Sequence, residues 1–581
     1  MRTDVGSLEE LQQSGYLTGK LGSQPVCVFW HEGRAYAVDD RCPHLGFPLH
    51  RGTVESGLVT CHWHHARFDL CSGGTLDPFA DDVRAYPVEI EDDRVVVAAE
   101  TRPPDTGAAF RRLEEGIEQG LTLVTAKAVL ALLDADVPAG DLVAAGARFG
   151  CRYRAEGFGP GLTVLTATAN LLDRLDAADR PLALVHGLMF VSGDTRGHQP
   201  RFLLPALTGR ELTAERLTDW YRRFVETRSA DAAERVLTTA AESLPVESLG
   251  RLTGAAATDH VFLDEGHVVD FTNKAFELVS ILGGDAAGWV LPTLAQGTTS
   301  ATRHEEESAW RHPHDLAALC RDAAERLPEA LARADWDDGV APGGPAAVFE
   351  AAGGPGKLAG EVLGDDPASI VDALFAAIET GASAEQLGRA VALAAALRVT
   401  RFHVQNDHAD WNVVHHGFTS ANALHQHLVR APSQHLVRGV VHGALKVYLD
   451  RFLNVPAARL PVATAGDLAD LPACFDVEGG VDEAGVIVCG FLRGGGRRQD
   501  VVAALGGALL REDAGFHWFQ MYEASARQAE AWPEGSEEAA LILTGAARFL
   551  AAHTPTRREL AQVVRIASRL RRGEALYEDE G

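Results

Sequence analysis

The 581-residue chain contains no uninterrupted apolar run of about 18 residues, the least that crosses a bilayer as a helix, so no membrane-embedded protein is expected. Positive charge is also in short supply. Lys and Arg number 53 against 81 Asp and Glu, and the resulting net charge of -28 repels phosphate backbones and anionic lipid, which argues against nucleic acid or a membrane surface as partner. Cysteine is sparse, with eight in the whole chain, too few for a disulfide framework. The opening residues Met1-Arg2-Thr3-Asp4 lack the basic and apolar stretches of a secretory signal, and a reducing cytoplasm is the expected location. No Walker sequence occurs, and Gly494-Gly495-Gly496-Arg497-Arg498 has neither the spacing nor the strand-turn-helix setting of a dinucleotide fingerprint. A nucleophile elbow is likewise missing. Cys320, Cys474 and Cys489, beside Leu319, Ala473 and Val488, read as buried core thiols. With 46% hydrophobic and 23% charged residues, the composition is that of a globular protein, and the length calls for two to four domains.

What the chain does hold is a pair of short Cys/His loops. Cys42-Pro43-His44 is followed, after residues 45–60, by Cys61-His62-Trp63-His64. Thiolate and imidazole are the usual ligands for iron and zinc, so a structural zinc site is one reading. Zinc fingers, however, pair Cys with Cys and His with His, whereas each loop here supplies one of each. The pattern continues with Leu45-Gly46 after the first loop, Ala66-Arg67-Phe68-Asp69-Leu70 after the second, and Gly73-Gly74.

On these residues the first hundred positions resemble the Rieske iron-sulfur family. The resemblance implies that Cys42 and Cys61 bind one iron of a [2Fe-2S] cluster and His44 and His64 the other, with imidazoles raising the reduction potential. High-potential members carry a disulfide between the loops at positions that are Phe47 and Trp63 here. The resemblance is therefore to the disulfide-free, ferredoxin-like or oxygenase-type branch. His62 and His65 are expected to line or shield the loops.

The region between 26 and 38 reads as a hairpin about His31-Glu32-Gly33, and 94–99 as a further strand, so a small all-β domain is expected over 1–100. A linker at 101–109, with Pro103-Pro104, leads to a large, mainly α-helical region with Ala, Leu and Arg at spacings of three and four. This region has the marks of an internal duplication. Leu184-Val185-His186-Gly187 echoes Val440-Val441-His442-Gly443, Arg201-Phe202-Leu203 echoes Arg451-Phe452-Leu453, and Asp264-Glu265-Gly266-His267 echoes Asp513-Ala514-Gly515-Phe516-His517, at separations of 256, 250 and 250 residues. Helical halves over 110–355 and 356–581 are expected, joined by the Gly- and Pro-rich segment 339–360, which reads as a loop.

Paired residues near a pseudo-twofold axis can converge, which makes His186, His267, His442 and His517 candidate metal ligands. In the last echo Asp264 and Asp513 precede their histidines by about a helical turn, with Glu265 and Glu512 alongside, a spacing that puts acid and imidazole on one helix face and makes all four candidate carboxylate ligands. The second half also concentrates eight of the chain's 23 histidines within 40 residues, from His403 to His442, adding His415 and His416 as candidates. The competing reading is that these histidines fill helix contacts.

Rieske oxygenases place a mononuclear iron behind the cluster, bound by two histidines and a carboxylate. Their Asp/Asn-x-x-His-x3-4-His spacing does not occur: Asn412 and His415 are followed by Thr419 and Ser420, and Asn422 and His425 by Val429 and Arg430. The helical region instead resembles that of bacterial Rieske-linked proteins, through phrases such as Val268-Val269-Asp270-Phe271 and Tyr448-Leu449-Asp450-Arg451, a resemblance that implies no particular activity. The preferred reading is an oxidoreductase, an oxygenase in which the cluster feeds a mono- or dinuclear non-heme iron for oxidation of a small organic substrate with O2. A separate reductase or ferredoxin is the expected electron donor, and the family resemblance raises a homo-oligomer. The alternatives are an electron-transfer protein with a helical docking or scaffold module and no second metal, and a zinc-bearing helical site with the cluster as redox sensor.

Overall fold

A computed structural model describes residues 1–99, 105–155, 157–209, 212–334, 336, 346–572, 574 and 576. Residues 101–104 of the expected linker and 339–345 of the expected joint lie outside them. The chain divides into two compact units, 1–138 with 559–581, and 139–558. The helices Thr106–Gln119, Thr122–Asp134 and Glu559–Arg571 thus group with the β region, so the observed units are drawn differently from the boundaries read at 100, 110 and 356. The described part of the joint is helical, as Ala346–Ala351 and Gly354–Val362, where a loop was expected.

The β part of the first unit comprises β1 (Arg2–Ser7), β2 (Tyr16–Leu21), β3 (Gln24–His31), β4 (Arg34–Asp39), β5 (Thr53–Glu55), β6 (Leu58–Thr60), β7 (Arg67–Asp69), β8 (Ala85–Tyr86), β9 (Val88–Glu91) and β10 (Arg94–Ala98). They form three antiparallel sheets, ordered β1-β10-β9, β2-β3-β4-β8 and β5-β6-β7. β3 and β4 make the expected hairpin, with His31 opposite Arg34 and Val26 opposite Asp39. The twofold alternation of a strand lets β3 serve two cores at once. Val26 and Val28 pack with Leu17, Val95 and Val97 on one face. Cys27 and Phe29 pack on the other with Val59, Phe68, Cys42 and Cys61, so the metal-ligating cysteines of the sequence pattern sit in a core.

The second unit is helical throughout its named elements, and among the described residues of the chain no helix is long and apolar enough to cross a membrane. Four helices position its candidate site: Pro160–Leu171, His267–Leu282, His408–Arg430 and Phe516–Glu530. The third starts where the Asp407 side chain accepts from the Asp410 N–H at 3.0 Å, and it ends before Pro432, which cannot continue it. The His267 and Phe516 helices each pack against both of the others. Between them runs a buried polar seam. The Lys274 ammonium donates to Glu277 at 2.8 Å and to Glu523 at 2.5 Å, Asn170 donates to both carboxylates, and Gln520 donates to Asp270. Asp270 and Gln520 are 250 residues apart, as are Glu277 and Arg527, whose charges lie 3.9 Å apart, and His267 and His517, whose rings lie parallel at 5.8 Å.

Taking two carboxylates and an ammonium out of water is tolerable only while each has its partner; removing one leaves an unpaired buried charge, which costs about 3–5 kcal/mol. Lys274 and both glutamates are 5% exposed or less. Lys274→Met is expected to destabilise the protein by about that amount in denaturant unfolding. Arg333→Ala, which breaks exposed pairs with Glu329 and Glu379, should change stability by less than about 1 kcal/mol. Equal effects from the two substitutions would show that the seam does not hold the helices.

Candidate functional site: two Cys/His loops and a three-histidine cluster

The two Cys/His loops are closed in the same way. The Cys42 N–H donates to the Phe47 carbonyl at 2.8 Å and the Gly46 N–H returns to the Cys42 carbonyl at 2.7 Å; Cys61 and Ala66 (2.8 Å) and His65 and Cys61 (3.0 Å) repeat the pair. The equivalent residues Gly46 and His65 both take left-handed backbone, with φ of 80° and 61°. His65 is therefore the turn residue of its loop, and His62 shares a 2.6 Å hydrogen bond with Thr53. Phe47 and Trp63, at the positions where the resemblance would place a disulfide, hold their rings 5.1 Å apart. From the helix Thr122–Asp134, Lys127 donates to the Pro43 carbonyl and pairs with Asp81 at 3.1 Å, tying the first loop down.

At the ends of the loops the two thiols meet. Cys61 is pulled down to about 6 by its hydrogen bond with Cys42 and by the Trp63 and His64 N–H groups, while the same contact and burial push Cys42 up. The rings of His44 and His64 pack edge to face at 4.6 Å. His44 is held down to about 4 by burial, with His64 and Lys127 adding to it, and its Nδ1 is buried without a partner. Paired thiols under amide N–H groups, beside paired imidazoles with an orphan nitrogen, are a donor set that fits a [2Fe-2S] cluster. One tetrahedral zinc fits less well. Among the described residues the one group of three His, Cys, Asp or Glu ligand atoms lying within 4.8 Å of one another is elsewhere.

That group is His267, His416 and His517, in the second unit. Three helices deliver them, two at their N-terminal turns, where the backbone dipoles disfavour an imidazolium. His267 is held down to about 3 by burial and by His416 and His517, and His517 to about 4 by burial and His416, so both are neutral with lone pairs available. His416 Nε2 faces His517 Nε2 at 3.0 Å. On its other side His416 Nδ1 donates to Glu265 at 2.7 Å, which fixes the tautomer so that Nε2 presents its lone pair to the cluster. The bond brings Glu265 down to about 2.

Glu265 reaches His416 because the chain before the His267 helix is a tight left-handed turn, with positive φ at Phe262, Asp264, Glu265 and Gly266. Gly266 has φ of 90°, and a Cβ there would meet Ser420 Cβ of the facing helix at 2.7 Å. This geometry departs from the expected helical face shared by acid and imidazole: Asp264 and Glu265 precede the helix that begins at His267, and Glu512 and Asp513 precede the one that begins at Phe516.

The remaining candidates are placed apart from the three histidines or beside them. His415 lies 5.1 Å from the His517 ring, wholly buried with both nitrogens unpartnered, and stacks on Phe549. His186 Nε2 donates to the Leu510 carbonyl at 3.0 Å, and Glu512 accepts from Thr556 and Arg558 at 2.8 Å, which makes both of them tertiary ties. The Asp513 N–H takes a further bond to Thr556. His442 is buried and lines a small cavity together with Thr258, Phe262 and Leu424. Asp264 contacts Thr302 at 3.4 Å. The sequence offered no sign that Glu265 would act through His416 rather than beside His267, since that depends on a backbone turn.

Among the histidines outside the cluster, His186, His427 and His442 are held down by burial to about 4, 3 and 3, with Arg430 adding at His427 and Arg438 at His442. Unfolded, each titrates near 6.5. Their contribution to stability is therefore fully present above about pH 6.5 and is lost as pH falls toward the folded values, at about 1.4 kcal/mol per pH unit for each. The unfolding midpoint is expected to drop steeply between pH 6.5 and 5. His427→Gln, which keeps a donor for the Gly250 carbonyl at that position, should make the slope shallower by one proton; an unchanged slope would contradict it.

Residues 1–87 match the family model described as the Rieske [2Fe-2S] domain. The ferredoxin component of the naphthalene 1,2-dioxygenase/salicylate 5-hydroxylase systems of Ralstonia sp is 31% identical over 98 residues, covering 17% of this chain and 94% of that protein. The ferredoxin component of the naphthalene 1,2-dioxygenase system of Pseudomonas aeruginosa is 30% identical over 95 residues, 16% of this chain and 91% of that protein. Among solved structures, the ferredoxin of carbazole 1,9a-dioxygenase from Nocardioides aromaticivorans IC177 aligns at 25% identity over 17% of this chain and 99% of that one, with a TM-score of 0.17. Through its N-terminal residues, where the two Cys/His loops lie, the chain belongs to the Rieske [2Fe-2S] domain family.

Proposed function

We propose that this chain is an iron-sulfur oxidoreductase with two metal centres: a [2Fe-2S] cluster held by Cys42, His44, Cys61 and His64, and a non-heme metal held by His267, His416 and His517 in an oxygenase acting on a small organic substrate. The observation that carries the second centre is the convergence of three imidazoles within 4.8 Å, with the tautomer of His416 fixed by Glu265. When bound, the cluster supplies single electrons at a potential raised by its histidines, and a metal on three imidazoles keeps open positions for O2 and substrate. The protein's part is to hold neutral imidazoles in place. Helix N-termini and burial keep His267 and His517 unprotonated, and Glu265 orients His416.

Ferredoxin components of dioxygenase systems work with partner proteins, and a separate reductase or ferredoxin as donor here is consistent with the acidic surface charge. The equal spacing of 250 residues in the Asp270/Gln520, Glu277/Arg527 and His267/His517 pairs supports reading the helical region as an internal duplication.

The test is the metal content of anaerobically purified protein, counted beside inorganic sulfide and the electron paramagnetic resonance of the reduced cluster. Two sulfides with more than two irons are expected. His416→Ala and His517→Ala should each remove the additional iron while leaving the cluster signal intact, and Glu265→Gln should weaken its retention by about 10–100-fold. Two irons alone, with none taken up on reconstitution, would leave an electron-transfer protein with a helical scaffold; zinc in place of the additional iron would overturn the oxygenase reading.

A further inference from the structure

A cavity of about 530 Å³ lies beside the three-histidine cluster within the helical unit. Phe271 is its boundary with the cluster: it lines the cavity and stacks on the His267 ring at 5.3 Å. Its wall is mixed: Phe158, Leu162, Val191, Val268 and Leu294 form an apolar part, and Thr195, Gln296, Thr298 and Ser300 a polar one. The volume and lining are those of a site for a small molecule of one or two rings.

One wall is the segment Gly157-Phe158-Gly159-Pro160, continued by Gly161, which can run there only because it lacks side chains at two places. A Cβ on Gly157 would meet the Thr293 carbonyl at 2.4 Å, and one on Gly161 the Phe190 carbonyl at 2.7 Å. The close approach brings the Gly161 N–H to 2.5 Å from Asp194 Oδ2.

Among the described residues three ionisable side chains line the cavity: Arg154, Asp194 and Asp264. The guanidinium of Arg154 is already committed, to Glu234 at 2.9 Å and to the Cys151 carbonyl at 2.6 Å, with its side chain 3% exposed. Among the described residues neither aspartate pairs with Lys or Arg. Asp194 has the Gly161 N–H, and Asp264 the Thr302 hydroxyl at 3.4 Å. Burial raises both carboxyls, with Glu265 adding to the rise at Asp264. The cavity therefore presents two acids without an Arg or Lys partner among the described residues, in a wall that is part polar and part apolar, where a carboxylate or phosphate on the ligand would be repelled and a positive charge would be favoured.

We propose that this cavity is the substrate site and that its ligand is an amine, an apolar ring body whose ammonium is held by the cavity's carboxylates, with Asp194 as its partner. That the ligand is a substrate rests on the oxygenase reading; that it is an amine does not. Phe271 places the apolar body next to His267, so the ring or the carbon adjoining it is the part presented to the metal side.

The experiment is calorimetric titration of the full chain with tryptamine, indole-3-ethanol and indole-3-acetate, which share a ring and differ in the end group. Tryptamine is expected to bind about tenfold or more tighter than indole-3-acetate, with the alcohol between them. Asp194→Asn, which keeps an acceptor for the Gly161 N–H, should bring the amine-to-acid ratio to about threefold or less. The wild-type ratio should persist in His517→Ala, where direct ligation of the amine by a metal is removed. Tighter binding of the acid, no binding by the amine, or a ratio unmoved by Asp194→Asn overturns the proposal. Selective amine binding in protein without additional metal would keep the amine site and sink the oxygenase reading; additional metal without amine selectivity would do the reverse.

Discussion

The ammonium of Lys274, shared between Glu277 of its own helix and Glu523 of another, is the constraint on which the helical unit turns. Apolar contacts are nearly indifferent to small slides of one helix along another, but a buried charge is not, because a slide of even a couple of ångströms would leave it unpaired. The same two helices begin with His267 and carry His517 in the first turn. Fixing their register through Lys274, and through Gln520 on Asp270, fixes the distance between two imidazoles several residues away. The third imidazole comes from a helix that packs on both, and Glu265 sets its orientation.

The β part reaches a similar end by other means. There the ligating residues sit on loops, and rigidity comes from identical backbone closures, from Cys42 and Cys61 lying in the core beneath β3, and from Lys127 on the Pro43 carbonyl. The last contact comes from a helix outside the residues that match the family model. In this chain, then, an element beyond the family's own boundary steadies the loop that carries His44.

Much of the β domain was legible because its signals are local. A hairpin needs two apolar strands and a turn at Glu32-Gly33, and the Cys/His loops are contiguous in sequence. The cluster of three histidines was harder to read. His267, His416 and His517 were all among the candidates, but so were His186 and His442, which repeat just as regularly and are tied into the core through backbone carbonyls or apolar neighbours. Repetition in a sequence does not say which of the repeated positions converge in space. The acids were read as helical neighbours of the histidines, and here a left-handed turn, invisible to periodicity, redirected Glu265 to a different helix. The cavity had no sequence signal beyond a run of glycines, because its walls come from segments more than a hundred residues apart.

Phe47 and Trp63 occupy the place where a covalent bridge would join the two Cys/His loops. A ring contact has no redox state of its own. The loops therefore stay together whether the surroundings are rich in thiols or in oxidants, and chemical reduction of the protein acts on the electron-carrying group without first severing the frame around it. What such a frame gives up is permanence. It is released whenever the local fold opens, and since His64 is exposed, the histidine side of the loops faces solvent without that opening.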